Sequence, residues 1–274
     1  MGKRILVAVI FVPLLFVVMM FLPSAVWTAL VALISAMSAY ELLRATGEGK
    51  VSMPMKVVTI VAAAAIPIGC WQGKGTMVIG VVCFVVLACS FWCAILAYNE
   101  DGGDIKLYHI LLSGFGGVII PAGLSSLVTL KCMENGRYLV LFTVILAFIA
   151  DGGAYFSGVF LGKHRGITKV SPNKSLEGYI GGLATGVIFA LIYGVVVGAI
   201  TKGSVNYIML ALCGLVGALF TALGDLSFSL VKRQYGVKDY GNLLPGHGGM
   251  LDRFDSMIFC GPVVLFFVTL SPML

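Results

Sequence analysis

Long apolar runs, separated by short charged segments, constrain the fold of this chain more than any other feature. Hydrophobic residues make up 59% of its 274 positions, and the mean hydropathy is +1.05. Several runs reach the roughly 20 residues that a helix needs to cross a bilayer. They are continuous rather than alternating, which is typical of helices whose backbone groups are hydrogen-bonded within the segment. We therefore predict an all-α, polytopic integral membrane protein.

The apolar runs predict about nine transmembrane helices. The first, Ile5 to Leu22, follows Lys3-Arg4, and we expect it to remain uncleaved because no convincing small-residue cleavage site follows it. Pro121-Ala122-Gly123 interrupts the fifth span. The other predicted spans are Trp27 to Leu43, Val57 to Trp71, Met77 to Tyr98, Ile105 to Leu130 (the fifth), Tyr138 to Leu161, Tyr179 to Thr201, Tyr207 to Val231 and Met257 to Leu270.

The distribution of basic residues predicts the orientation of these spans. With a cytoplasmic N-terminus, fourteen of the 18 Lys and Arg residues fall on the cytoplasmic side and four on the other. Basic residues concentrate in cytoplasmic loops of membrane proteins. We therefore expect the N-terminus and the two highly charged loops, 162–178 and 232–256, to face the cytoplasm.

Other function classes find little support in the composition. The net charge of +6 follows largely from the loop asymmetry, and no basic stripe with interleaved aromatics indicates nucleic-acid binding. The seven cysteines form no C-x-x-C pair, so we expect packing roles rather than zinc or disulfides. Neither a Rossmann nor a P-loop motif is present. Patterns such as Gly182-x-x-x-Gly186 and Gly194-x-x-x-Gly198 predict close helix packing.

We single out two carboxylates inside predicted spans, where an ionisable group is by default a candidate for function. Asp151 is flanked by Gly152-Gly153, and Asp225 lies near the predicted cytoplasmic end of the eighth span. Ser229 and Lys232 follow Asp225 at spacings that place them on one helical face. A simple Asp–Lys ion pair is the alternative interpretation of that face.

The segment from Ser229 to Asp255 concentrates charge in a chain that is only 11% charged. It contains Lys238-Asp239, the turn Pro245-Gly246-His247-Gly248-Gly249 and Asp252-Arg253-Phe254-Asp255. Glycine-rich turns expose backbone N–H groups to phosphate oxygens, cations neutralise a polyphosphate, and carboxylates suit magnesium. These residue types are typical of a phosphoryl or nucleotidyl transfer site.

The order of these residues resembles the pattern of phosphatidate cytidylyltransferases, the CDP-diacylglycerol synthases. The resemblance extends to Asp151-x-x-Ala154-Tyr155 and to the loop Ser171-Pro172-Asn173-Lys174-Ser175-Leu176-Glu177-Gly178, and so covers roughly residues 145–260. Asn173 and Ser175 stand where many relatives carry Lys and Thr. The matching positions in the charged segment are Ser229, Lys232, Arg233, Lys238, Asp239, Pro245 to Gly249, Asp252, Arg253 and Asp255.

The resemblance implies that CTP and phosphatidate react to give CDP-diacylglycerol and pyrophosphate. It implies that Asp225 and Asp252 hold Mg²⁺, with room for a second cation. Catalytic roles fall to these two carboxylates and to four cations that offset phosphate charge: Lys232, Arg233, Lys238 and Arg253. Expected substrate-binding residues are Asp151, Lys174, Ser175, Glu177, Ser229, Asp239, His247, Gly248, Gly249 and Asp255.

Several of these residues have simpler interpretations. Lys174 and Glu177 could belong to a topogenic loop, and Ser229 could only hydrogen-bond to the backbone. His247 could be structural, while Asp239 and Asp255 could pair with nearby cations.

Two other functions remain open at this point. A CTP-dependent lipid alcohol kinase would use similar residues, and a secondary transporter is a more distant alternative, because no internal repeat is evident.

We expect one membrane domain over 1–274, with 1–137 of unassigned role and 138–274 catalytic. The expected location is a bacterial cell membrane, with the active site facing the cytoplasm. The expected partners are CTP, phosphatidate, membrane lipid and a second copy in a homodimer, with no nucleic acid.

Overall fold

The computed structural model describes residues 13–99, 103–243 and 248–273, which are mainly helical and include no β-strand. Eight helical segments in these ranges are long and apolar enough to cross a membrane, which confirms the all-α polytopic prediction. Residues 13–21 are also helical, and the rest of the predicted first span lies outside the described residues. The helices are α1 (Ser24–Thr46), α2 (Met53–Trp71), α3 (Gly75–Leu96), α4 (Leu107–Gly114), α5 (Ile120–Cys132), α6 (Gly136–Phe160), α7 (Leu176–Thr201), α8 (Tyr207–Gln234) and α9 (Leu251–Leu270).

The predicted interruption of the fifth span at Pro121 is wrong. A π-helical segment, Phe115–Ile119, joins α4 to α5, so that the span runs without a break over Leu107–Cys132. The N–H of Ile120 donates to the carbonyl of Phe115, five residues back. Proline lacks an N–H and its ring crowds the preceding turn, and a wider turn just before Pro121 accommodates both effects while the helix continues.

The last helix begins six residues earlier than predicted, at Leu251 rather than Met257. Asp252, Arg253 and Asp255 therefore lie in its first two turns and not in a loop. An acidic residue in the first turn interacts favourably with the positive end of the helix dipole. Charge at a helix start is consistent with that effect, although charge alone had indicated a loop.

The chain divides into two compact units, and one contains residues up to Cys132 together with Gln234–Phe254. In this unit α1 and α2 pack together, α2 packs on α3, and both α1 and α2 contact α5. The indole Nε1 of Trp27 donates to the carbonyl of Leu127 at 3.1 Å. A small apolar cluster of Leu43, Val51, Met55 and Ile110 lies near the end of α1.

The second unit contains Met133–Arg233 and Asp255–Leu274. Small residues permit its helices to approach closely, as the glycine patterns predicted. A Cβ added to Gly182 would lie 2.9 Å from the carbonyl oxygen of Ala150, and one added to Gly186 would lie 2.7 Å from the Cβ of Ala218. A Cβ on Gly224 would lie 2.9 Å from the carbonyl oxygen of Asp255, so α8 and α9 also meet closely.

Candidate active site

Two transmembrane carboxylates and one lysine form the centre of the charged group in the second unit. The Lys174 ammonium, in the loop before α7, makes an ion pair with Asp225 of α8 and also interacts electrostatically with Asp151 of α6. Burial by itself lowers the pKa of Lys174, but the charge and hydrogen bond of Asp225 outweigh that effect and raise the pKa above its ordinary value. Lys174 is therefore a stable cation at neutral pH.

The two carboxylates occupy corresponding positions in their helices. Asp151 lies nine residues before the end of α6 at Phe160, and Asp225 lies nine residues before the end of α8 at Gln234. The side chains of Asp151 and Asp225 lie at a similar depth along their helices, because both interact with Lys174.

The first turns of α9 extend this group with Asp255 and Ser256, both buried. The Ser256 hydroxyl lies 3.2 Å from Asp151 Oδ2 and 3.4 Å from Asp255 Oδ1, while the Ser256 N–H donates to Asp255 Oδ1 at 2.7 Å. Asp255 also interacts electrostatically with Asp225 and with the buried Lys232. Ser256 thus links two carboxylates that belong to different helices.

Residues 161–175 fold against the start of α7. Ser175 is the N-cap of α7, and its buried hydroxyl accepts a hydrogen bond from the Gly178 N–H at 3.2 Å. Glu177 accepts hydrogen bonds from the backbone N–H of His164, and its Oε1 lies 2.6 Å from His164 Nδ1. These contacts give Ser175 and Glu177 local structural roles, and they fix the loop that carries Lys174.

A cleft in the same unit lies beside Asp151 and Lys174. Apart from these two residues and Tyr179, its lining is apolar and comes from α6, α7 and α8. The Lys174 ammonium lies 5.7 Å from the centre of the Tyr179 ring, in cation–π geometry. The cleft therefore combines a charged end with an apolar wall at the level of transmembrane helices.

Asp252 organises a second group of residues, within the first unit. Its Oδ2 accepts hydrogen bonds from the N–H of Tyr240 at 2.8 Å and from the N–H of Gly249 at 3.0 Å. Gly248 has a φ of +82°, and a Cβ there would lie 3.2 Å from Asp252 Oδ2 and 3.3 Å from Asp239 Oδ1. Glycine suits this position because it adopts positive φ without strain.

Glu41 of α1 also belongs to this second group, although its carboxylate is distant in sequence. It is buried, and its two oxygens accept hydrogen bonds from the N–H of Met250 at 3.0 Å and of Leu251 at 2.9 Å. Arg44, one turn further along α1, donates to the carbonyl of Tyr240 at 3.3 Å.

The remaining predicted site residues have less specific surroundings. Ser229 is half-buried, whereas the side chains of Arg233, Lys238, Asp239 and Arg253 are exposed. His247, with Pro245 and Gly246, lies outside the described residues. Asp225 and Asp252, the predicted metal pair, fall in different units. Their pairing stays a prediction.

The donor chemistry of both groups fits magnesium, which prefers one or two carboxylates together with water and substrate phosphate. Among the described residues, no group of three or more His, Cys, Asp or Glu side chains forms a ready-made metal cage. A magnesium site that water and phosphate oxygens complete needs no such cage.

Sequence reasoning missed Glu41, Arg44 and Ser256. Glu41 lies inside the predicted span Trp27 to Leu43, so the rule that selected Asp151 and Asp225 applies to it as well. Arg44 and Ser256 gave no comparable signal, because an arginine at a span end and a serine in an apolar helix are both common.

Comparison with known proteins identifies the family of this chain. The model of the cytidylyltransferase family matches residues 2–271. A protein named phosphatidate cytidylyltransferase from Mycobacterium bovis is 32% identical over 94% of this chain and 85% of its own length. Proteins of the same name from Bacillus subtilis and Haemophilus influenzae are 41% and 42% identical, over about half of this chain and about half of their own lengths. With a family match along nearly its whole length, the chain belongs to the cytidylyltransferase family.

Proposed function

We propose that this chain is a CTP:phosphatidate cytidylyltransferase, which transfers CMP from CTP to phosphatidate. Family membership and the names of the relatives support a nucleotidyltransferase, and they do not favour the lipid kinase or the transporter. The structural observation that carries the proposal is the charged end of the cleft, which is lined by Asp151 and by Lys174, the ion-pair partner of Asp225. The phosphate and the apolar acyl chains of phosphatidate match the two parts of that cleft.

In the proposed reaction a phosphate oxygen of phosphatidate attacks the α-phosphorus of CTP. A new P–O bond forms as the bond from the α-phosphorus to the β-phosphate oxygen breaks, and pyrophosphate leaves with that electron pair. Lys174 and Lys232 offset the charge of the two phosphates that approach each other. Lys238 and the backbone N–H groups near Gly248 suit the triphosphate of CTP.

Asp225 and Asp252 are the residues we assign to hold Mg²⁺, with a second cation as a further proposal. A bound magnesium ion supplies charge neutralisation and polarises the phosphoryl oxygens. Asp151 and Asp255 both interact electrostatically with Asp225. A cation bound beside Asp225 would relieve the repulsion among these three acidic side chains.

The proposed location is a bacterial cell membrane, with the site facing the cytoplasm. The apolar helices and the bacterial relatives support an integral membrane protein. The excess of Lys and Arg in loops 162–178 and 232–256 supports the orientation, which gives the site access to cytoplasmic CTP. A homodimer remains a further proposal.

Transfer of label from CTP to lipid tests the function directly. The purified protein in detergent receives phosphatidate, Mg²⁺ and CTP labelled at either the α- or the γ-phosphate. The proposal expects α-label in the lipid phase and γ-label in pyrophosphate. Label from γ-CTP in the lipid would instead identify a kinase, and no transfer from either, with an active relative as control, would refute the proposal.

A further inference from the structure

We infer that Glu41 is a positioning residue for this reaction, which holds the backbone that carries Gly248, Gly249 and Asp252 in its working geometry. The inference rests on the proposed function. Glu41 itself contacts backbone, so its effect on the reaction passes through the segment it holds.

The burial of Glu41 requires strong partners. Its side chain lies in a transmembrane helix and is only 5% exposed. A carboxylate in such surroundings is unfavourable unless hydrogen bonds or charges compensate it. The N–H groups of Met250 and Leu251 bind one carboxylate oxygen each, 209 and 210 residues away in sequence.

These two N–H groups lie at the start of α9. The first N–H groups of a helix have no partner within the helix, and the helix dipole places partial positive charge there. Glu41 therefore acts as an N-terminal cap supplied by another part of the chain. Because Asp252 follows Leu251 directly, the cap also fixes the position from which the Asp252 carboxylate extends.

Two glycines allow the carboxylate of Glu41 to sit against the backbone. A Cβ on Gly241 or on Gly249 would overlap the Glu41 carboxylate. Neither glycine lies in the left-handed region, so close approach rather than backbone conformation explains both residues. Gly241 and Gly249 thus both lie against one side chain of α1.

Arg44 strengthens the same attachment by its hydrogen bond to the Tyr240 carbonyl. The Tyr240 N–H in turn donates to Asp252, which also accepts the Gly249 N–H. Helix α1 consequently contacts the backbone at Tyr240 through Arg44, and at Met250 and Leu251 through Glu41. This assigns a role to part of the N-terminal helices.

The experiment compares Glu41→Gln with Glu48→Gln in the full-length protein. The introduced glutamine side chain keeps one oxygen acceptor but turns an NH₂ group toward the second backbone N–H. Glu48 is a matched control because its carboxylate accepts a hydrogen bond in the same unit from a side chain, the exposed Tyr108 hydroxyl, at 2.8 Å. Initial rates at varied CTP and at varied phosphatidate give the two KM values and kcat. Hydrogen exchange measures the backbone around residues 249–253.

We expect Glu41→Gln to lower kcat/KM for CTP by about 10- to 100-fold, as is typical of residues that orient a ligand-contacting group. KM for phosphatidate should stay within about twofold, and Glu48→Gln should change neither value by more than that. A role confined to stability would reduce the folded fraction of the enzyme, and kcat/KM would then fall equally for CTP and for phosphatidate. Glu41→Gln with kcat/KM for CTP within twofold of wild type, or with equal losses for both substrates, would overturn the inference.

Hydrogen exchange separates this inference from the proposed function. Exchange at residues 249–253 should be faster in Glu41→Gln and unchanged in Glu48→Gln. If the wild type transfers no label, the proposed function fails, and faster exchange in Glu41→Gln still supports the anchoring contact. Unchanged exchange in that variant would overturn the anchoring contact whether or not the enzyme is active.

Discussion

Ser256 is a small residue with a large expected effect, because its hydroxyl contacts the carboxylates of both Asp151 and Asp255. Replacing it by alanine leaves Asp151 without that partner inside the membrane. We expect Ser256→Ala to lower kcat by about tenfold, as for residues that orient functional groups. Ser227→Ala is the matched control, since the Ser227 hydroxyl donates to the Leu223 carbonyl of its own helix. Equal rates for the two variants would exclude a role for Ser256.

Asp252 combines a proposed catalytic charge with a structural contact, and one pair of variants separates them. Asp252→Asn keeps an oxygen for the N–H groups of Tyr240 and Gly249 but removes the charge. We expect kcat to fall by about 100- to 1,000-fold with little change in thermal stability, because charge stabilisation in the transition state is lost. Asp252→Ala should lose both activity and stability. Full activity in Asp252→Asn would refute the assignment as a magnesium ligand.

Individual site residues were predictable where an ionisable side chain lies inside an apolar span, because a buried charge is energetically unfavourable there. Asp151 and Asp225 stood out for that reason, and the structure brings both to Lys174. Glu41 satisfies the same rule, yet its partners are backbone N–H groups that no residue pattern identifies. The role of Ser256 depends on which helices meet, and this information is absent from the local sequence.

At the scale of helices, glycines in α6 and α7 distinguish packed from open faces. A Cβ on Gly186 would lie 2.7 Å from the Ala218 Cβ and 2.9 Å from the Gly214 carbonyl oxygen, whereas one on Gly152 meets nothing within 4 Å. We expect Gly186→Ala to lower the free energy of unfolding by about 1 to 3 kcal/mol. Gly152→Ala should raise it by up to about 1 kcal/mol through helix propensity.

Unfolding in mixed detergent micelles measures both glycine variants, and the pair controls for the common gain in helix propensity. Equal changes in the two free energies would show that α7 does not pack as described.

The helices themselves follow from hydropathy, and most of their centres were predictable. Their ends were less so. The sequence indicated a break at Pro121, but the π-helical turn before it keeps the span continuous. Charged residues before Met257 indicated a loop, but Asp252 and Asp255 lie in the first turns of α9, where the helix dipole tolerates them.

At the scale of the whole molecule, orientation in the membrane is the testable property. Single cysteines at Lys163 and Ser204, in a background without other cysteines, probe two exposed positions on opposite predicted sides. We expect a membrane-impermeant thiol reagent to label Lys163→Cys only in inverted vesicles and Ser204→Cys only in right-side-out vesicles. The reverse pattern would overturn the cytoplasmic orientation.

The membrane class could be predicted from composition, since few soluble chains are 59% hydrophobic, and the helical class from the continuous apolar runs. The predicted division near residue 137 lies close to the unit boundary after Cys132. No residue pattern indicated that residues 234–254 group with the N-terminal helices. That grouping depends on long-range contacts such as those of Glu41 and Arg44, whose partners lie about 200 residues away.

The same distance has a consequence for biosynthesis. Ribosomes add about 5 to 20 residues per second, so Glu41 exists for about 10 to 40 s before the backbone that it binds, 209 residues later, has been made. During that interval its carboxylate must stay hydrated at the membrane surface or carry a proton. Glu41 therefore reaches its final hydrogen bonds only once the start of α9 has been made, so this contact between α1 and α9 forms late in the synthesis of residues 41–251.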